Sequence, residues 1–160
     1  MRVLELFSGT QSVGKVGRAL GYDVISLDLT DATICCDIME WDYKTFSVGY
    51  FDIIWASPPC NTFSKMRLSN VGRYGVTMET IQQDISLIGL PILRRTEEII
   101  DYFKPSLYFI ENPQTGRMKD YIDRHYYDVD YCKYSDWGMR KRTRIWTNKI
   151  GFEPKVCNKD

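Results

Sequence analysis

The chain is short of histidine, of paired cysteines and of long apolar runs, and each shortage removes a class of function. His125 is the one histidine among 160 residues, which excludes a histidine-rich metal site and disfavours any mechanism with histidine as general base. It follows a helix-like segment and precedes Tyr126-Tyr127, the setting of a surface or helix-end residue. The five cysteines are odd in number, form no CxxC pair and show no zinc-ligand spacing, so neither a metal nor a disulfide framework is expected. With Arg2 followed by no apolar signal region, this usage points to an intracellular, reducing compartment, cytoplasm or nucleoid and nucleus. No apolar run approaches membrane-spanning length, so no membrane partner is expected. Charge of either sign is not in excess: 21 Lys and Arg against 21 Asp and Glu give zero net charge. Nucleic acid, if bound, must be held by local basic patches.

What is present is enough for one core. At 44% hydrophobic the chain reads as a single domain over residues 1–160, with no repeat, linker or low-complexity tract. Val3–Phe7 reads as a first strand, and Ser8 to Gly14 as the turn into a helix over Val13–Leu20. The turn does not match GxGxxG, so the dinucleotide fingerprint fails. Gly9 is either turn punctuation or a place where backbone approaches a ligand closely. A second strand, Asp23–Leu27, ends at Asp28, about where nucleotide-binding α/β folds place an acid on a ribose. A third, Thr33–Cys36, ends at Asp37-Ile38. Asp28 and Asp37 are equally readable as loop caps or as ligand contacts.

Phe51–Ala56 is a nearly continuous apolar run, the pattern of a buried parallel strand whose carboxyl end opens on a ligand crevice. It delivers Ser57-Pro58-Pro59-Cys60, in which two prolines stiffen the backbone presenting one thiol. Cys60 therefore reads as functional, whereas Cys35, Cys36, Cys132 and Cys157 read as small core hydrophobes. Thr62 to Thr80 is polar and aperiodic, the character of a mobile binding loop. From Ile81 to Phe103 the apolar positions keep helical spacing, with Gly89 and Pro91 bending or dividing the helix. Ser106–Ile110 is another buried strand, leading to Glu111-Asn112-Pro113. A short helix over Thr115–His125, a segment Asp128–Tyr134 and a last strand Arg142–Thr147 complete an alternating α/β pattern with a parallel sheet.

The ordered set Phe7-x-Gly9, Pro58-Pro59-Cys60-x-x-Phe63-Ser64, Glu111-Asn112 and Arg142-x-Arg144 closely resembles the cytosine-C5 methyltransferase family, from Leu4 to about Trp146. The resemblance implies a single-domain, Rossmann-like S-adenosylmethionine-dependent methyltransferase fold, mostly parallel with helices on both faces. It implies a DNA-binding enzyme that makes 5-methylcytosine in a flipped-out base. Cytosine C5 is a weak nucleophile, so a thiolate, here Cys60, would first add at C6 and make C5 enamine-like. Glu111 would supply a proton at N3, and Asn112 would hold the strand end. Arg144 would contact cytosine O2 and orient Glu111, and Arg142 would support the site or a phosphate. Phe7, Ser8 and Gly9 would line the methyl donor, which leaves as S-adenosylhomocysteine. Asp28 would take the ribose, Asp37 and Ile38 the adenine, and Pro58 is set among these positions near the target base.

Ser64, Lys65, Arg67 and Arg140, with Arg73, Lys141 and Lys149, are candidate contacts to the nucleic acid. Arg140 stands where the family has glutamine, and an exposed basic strand is a serious competing reading for Arg140 and Lys141 and a weaker one for Arg144. The family's target-recognition region and returning C-terminal helix have no counterpart before the sequence ends. A short target, the loop after Cys60 or a second subunit is then expected to provide selectivity. The same chemistry on RNA, and a catalytically silent, partner-dependent subunit, are the alternatives.

Overall fold

A computed structural model describes residues 1–136 and 138–158. One seven-stranded sheet runs through it in the order β3-β2-β1-β4-β5-β7-β6. The strands are β1 (Arg2–Leu6), β2 (Asp23–Asp28), β3 (Ile34–Cys35), β4 (Ile53–Ala56), β5 (Leu107–Pro113), β6 (Tyr126–Asp130) and β7 (Arg142–Thr147). The helices are α1 (Ser12–Ala19), α2 (Lys65–Ser69), α3 (Met78–Asp84) and α4 (Leu90–Phe103). Pairing is parallel from β3 through β5 and antiparallel between β6 and β7. This is the mostly parallel α/β sheet that the alternating pattern predicts. No helix of the described residues is long and apolar enough to cross a membrane.

The described residues group into two compact units, where the sequence reads as one domain: Met1–Pro58 with Ile92–Ile110, and Pro59–Pro91 with Glu111 onward. In the first, β1 leads outward to β2 and β3, and the chain then returns to place β4 on the other side of β1. That reversal is a topological switch point, where open α/β sheets bind ligands beyond the strand ends. Leu6 and Ala56 are register partners there. Leu4, Leu6, Leu27, Ile54 and Ala56 are buried because central parallel strands face helices or loops on both sides. Phe51 meets Phe103 edge-to-face at 4.9 Å. Arg95 of α4 donates to the carbonyls of Ile38 (3.2 Å) and Trp41 (2.9 Å) and stacks over Tyr43.

The second unit differs more from expectation. Thr62 to Thr80 is not a structureless loop. It holds a 3₁₀ turn at Asn61–Phe63, then α2 and the start of α3, elements too short to show a periodicity. Thr77 and Thr80 form a reciprocal capping box that starts α3. Gly89 and Pro91 do not divide the following helix. A π turn at Ile85–Gly89 carries α3 into α4 without a break, and Pro91 lies just beyond it inside the continuous helix, where the widened turn accommodates the missing N–H. The helix expected over Thr115–His125 is only a 3₁₀ turn, Arg117–Asp120. Met118 and Ile122 have helical spacing, yet both are buried from that turn and the extended chain after it. β6 starts earlier than expected, and Tyr131–Lys133 is a 3₁₀ turn. His125 is exposed, with its ring edge-to-face on Tyr127.

Candidate active site

In the first unit the turn after β1 is wound by three residues of positive φ, Phe7 (58°), Gly9 (47°) and Gln11 (56°). For side-chain-bearing residues this conformation costs roughly 1–2 kcal/mol each, so the surroundings must hold it. Ser8 donates its N–H to the Leu27 carbonyl (3.2 Å), and Gly9 to Asp28 Oδ2 (2.7 Å). Asp28 Oδ1 accepts from Leu29 N (2.7 Å). The turn is thus tied to the end of β2. A Cβ on Gly9 would meet no atom within 4 Å, so the backbone there is open to a ligand.

Glu5 was not legible as a site residue. It is 3% exposed on β1, and its carboxylate accepts from Val13 N (3.2 Å) and Gly14 N (2.9 Å), capping α1 where Gln11 makes no side-chain cap. Burial pushes its carboxyl up from the ordinary range, and the two amides pull it partly back. A Cβ on Gly14 would lie 2.5 Å from Glu5 Oε2. The signal available was a carboxylate inside an otherwise apolar strand.

Asp37 Oδ1 caps Met39 N at 2.8 Å, and its residue is exposed. Ile38 is 4% exposed and belongs to the core. Pro58 is buried.

In the second unit Cys60 is exposed, at the head of the 3₁₀ turn Asn61–Phe63. It borders a cavity of about 180 Å³ with Ser64, Lys65, Met66, Asn112, Pro113, Thr115 and Gly116. Ser64 also caps α2, accepting from Met66 N at 3.2 Å. Glu111, Asn112 and Pro113 are the last residues of β5, which runs past Ile110, where the sequence reading ends the strand. Arg67 is ion-paired with Asp84 and so binds α2 to α3. Pro113 and Thr115 also border a second hollow of about 470 Å³, whose other walls are Gln114, Arg140, Lys141 and Arg142.

Arg142 and Arg144 find their partners on β6. Register places Arg142 opposite Asp130 and Arg144 opposite Asp128, and opposed residues share a face of the sheet. Arg142 forks onto Asp130 at 3.1 and 2.9 Å, and Arg144 onto Asp128 at 2.7 and 2.8 Å. Strand alternation sends Lys141 and Thr143 to the other face. The cation beside Glu111 is Lys141, with Nζ 3.7 Å from Oε1.

The other cysteines are also not core residues. Cys35 is exposed, and Cys36, Cys132 and Cys157 are half-buried, because β3 is two residues long and the other sites lie in turns or chain-terminal coil. Among the described residues no cluster of three or more His, Cys, Asp and Glu is placed to hold a metal.

No protein-family model matches the chain. A protein of Frog virus 3 (isolate Goorha), described as a "Probable DNA (cytosine-5)-methyltransferase", is 52% identical over 160 residues, covering 98% of this chain and 75% of its own length. Among solved structures, the Dnmt2 methyltransferase of S. pombe aligns over 98% of this chain and 51% of its own (TM-score 0.53, 13% identity). An E. coli prophage protein described as a "putative DNA modification methyltransferase" aligns over 92% of this chain and 46% of its own (TM-score 0.52, 17% identity). The chain spans about half the length of these two structures, and at such identities the likeness is one of fold. The viral relative carries the sequence motifs' implication across nearly the whole chain: it belongs to the DNA (cytosine-5)-methyltransferase family.

Proposed function

We propose that the chain transfers a methyl group from S-adenosylmethionine to C5 of a cytosine in DNA, with Cys60 as covalent nucleophile. The observation that carries this reading is the placement of an exposed cysteine on the rim of a cavity that Asn112, next to Glu111, also lines. The cavity is about 180 Å³, enough to admit a base, as chemistry on a flipped-out base requires.

S-adenosylmethionine supplies an electrophilic methyl group. The residues present in the first unit suit it. Ser8 Oγ is buried with no hydrogen-bond partner among the described residues, Gly9 leaves its backbone uncovered, and Asp28 holds a carboxylate at the end of β2. Ser8, Gly9 and Asp28 would hold the donor, with Phe7, Asp37, Ile38 and Pro58 around it.

Cys60 Sγ, as thiolate, forms a bond to C6 while the C5–C6 π electrons shift into the ring. Glu111 delivers a proton to N3, which neutralises the charge so produced and leaves C5 electron-rich. After methylation the proton on C5 leaves to a base and the C5–C6 π bond reforms as the S–C6 bond breaks, the N3 proton returning to Glu111, so that thiolate, acid and neutral 5-methylcytosine are released. On the wall of the basic hollow Arg140, held on Asp130 only through Nε at 3.5 Å, is suited to a phosphate flanking the base, a role that needs no net positive charge.

Incubation with radiolabelled S-adenosylmethionine and, separately, duplex DNA, single-stranded DNA and transfer RNA tests the reading, with Cys60→Ala as control. Cys60-dependent 5-methylcytosine in DNA supports it. Label in transfer RNA alone would move the substrate to RNA, and cofactor binding without transfer to any acceptor would make the chain a partner-dependent subunit.

A further inference from the structure

We infer that Gln114 is a specificity-determining residue, whose side-chain amide reads the edge of a purine neighbouring the target cytosine, a role that rests on the methyltransferase reading above. Its place in the fold is the starting point. Gln114 lines the larger, basic hollow, and two other walls of that hollow, Pro113 and Thr115, also border the cavity beside Cys60. A strand that puts its cytosine into the cavity brings an adjoining nucleotide to the hollow, across one turn of chain.

Backbone fixes that turn. Pro113 is the last residue of β5, and Gln114 donates its N–H to the Arg142 carbonyl on β7 at 3.2 Å. Gly116 N closes the turn on the Pro113 carbonyl at 3.1 Å. A Cβ on Gly116 would stand 3.3 Å from the carbonyl oxygens of Phe63 and Pro113, so the turn lies close against the segment that follows Cys60. Recognition of a base edge needs a side chain held to within about 0.5 Å, and a residue tied to two strands of a sheet meets that demand better than one on a free loop.

The chemistry of the amide selects the ligand. Arg140, Lys141 and Arg142 on the same walls are donors only, the complement of phosphate, which offers only acceptors. Gln114 brings a donor and an acceptor side by side in one plane. Among the described residues it is engaged through its backbone, and it is half-buried. An amide so placed favours a partner that meets both of its functions and disfavours one that leaves either unmet. Purines present such an edge, adenine with N6 and N7 in the major groove and guanine with N2 and N3 in the minor groove.

The test is methyl transfer by wild type and Gln114→Met, of similar shape without donor or acceptor, on duplexes in which one cytosine carries each base in turn on either side. Wild type is expected to favour a purine on one side on the order of tenfold. Gln114→Met is expected to lose that preference while its rate at the poorer flanks stays unchanged. In the favoured duplex, 7-deazaadenine for adenine, or inosine for guanine, is expected to slow wild type alone, and which analogue does so names the edge that is read. A preference unchanged in Gln114→Met, a rate lowered equally at every flank, or a wild type indifferent to its flanks would overturn the inference. If wild type transfers no methyl, fluorescence anisotropy on the same duplexes at one salt concentration decides. A flank preference in binding that Gln114→Met removes would overturn the methyltransferase reading and leave Gln114 as a reader of bases, and equal binding to all duplexes would overturn both.

Discussion

Arg144 donates through Nε and Nη2 to both carboxylate oxygens of Asp128, which lies directly across the antiparallel pair, while its guanidinium carbon sits 3.7 Å from the centre of the Tyr126 ring. Fork and stack fix every rotatable part of the side chain. Its side chain is 12% exposed, so the pair is shielded from the screening that makes surface ion pairs weak.

This geometry predicts a structural role for Arg144. Arg144→Lys keeps the charge but loses the fork and the flat stack, and is expected to cost about 1–2 kcal/mol of stability. The rate per folded molecule should change little. Thermal unfolding beside single-turnover methyl transfer checks both, and a hundredfold slower transfer at unchanged stability would place Arg144 against the base.

The neighbouring pair makes stability sensitive to acid. The hydrogen bonds from Arg142 hold the Asp130 carboxyl down from 3.8 to about 2, helped by the Cys157 amide and opposed by burial. A carboxyl lowered on folding stabilises the protein above its unfolded value, and that contribution is lost as pH falls through its folded one. Wild-type urea midpoints should therefore fall between about pH 4 and pH 2. Asp130→Asn should be less stable at neutral pH by roughly 2–3 kcal/mol and flatter across that window. Equal slopes for the two proteins would show that Asp130 contributes nothing to acid unfolding.

The sequence was most readable where hydropathy alone decides structure. The apolar run ending at Ala56 became β4, with its start two residues later than expected, because a central strand is buried on both faces. The same holds for β2, which ends at Asp28. Glu5 was hidden because its role depends on α1 returning over β1, a tertiary fact that no local pattern carries. The partners of Arg142 and Arg144 were hidden for a related reason: they follow from the register of β7 against β6, and a shift by one residue would reverse which side chains share a face. Between Thr62 and Thr80 the failure was of length, since a five-residue helix such as α2 completes too few turns to print a stripe.

Gly89 presses the π turn against the residues that follow Cys60, and its substitution is expected to move the nucleophile without touching it. A Cβ there would stand 2.3 Å from Thr62 Oγ1 and 2.8 and 2.9 Å from the Phe63 ring. Neither neighbour can yield, since Thr62 is 5% and Phe63 1% exposed, and the ring is also packed on Tyr121 at 5.8 Å. Gly89→Ala must therefore push the 3₁₀ turn Asn61–Phe63 away from the helix, at a cost of about 1–3 kcal/mol for overpacking a filled core. Cys60 immediately precedes that turn and its carbonyl accepts from Phe63 N at 3.0 Å, so the displacement reaches the thiol. The expected outcome is a lower urea midpoint with a changed rate of Cys60 alkylation by iodoacetamide, read by peptide mass mapping against the four other cysteines. Loss of stability with an unaltered Cys60 rate in the folded protein would mean that the helix relaxes instead of the turn, and that Gly89 serves packing alone.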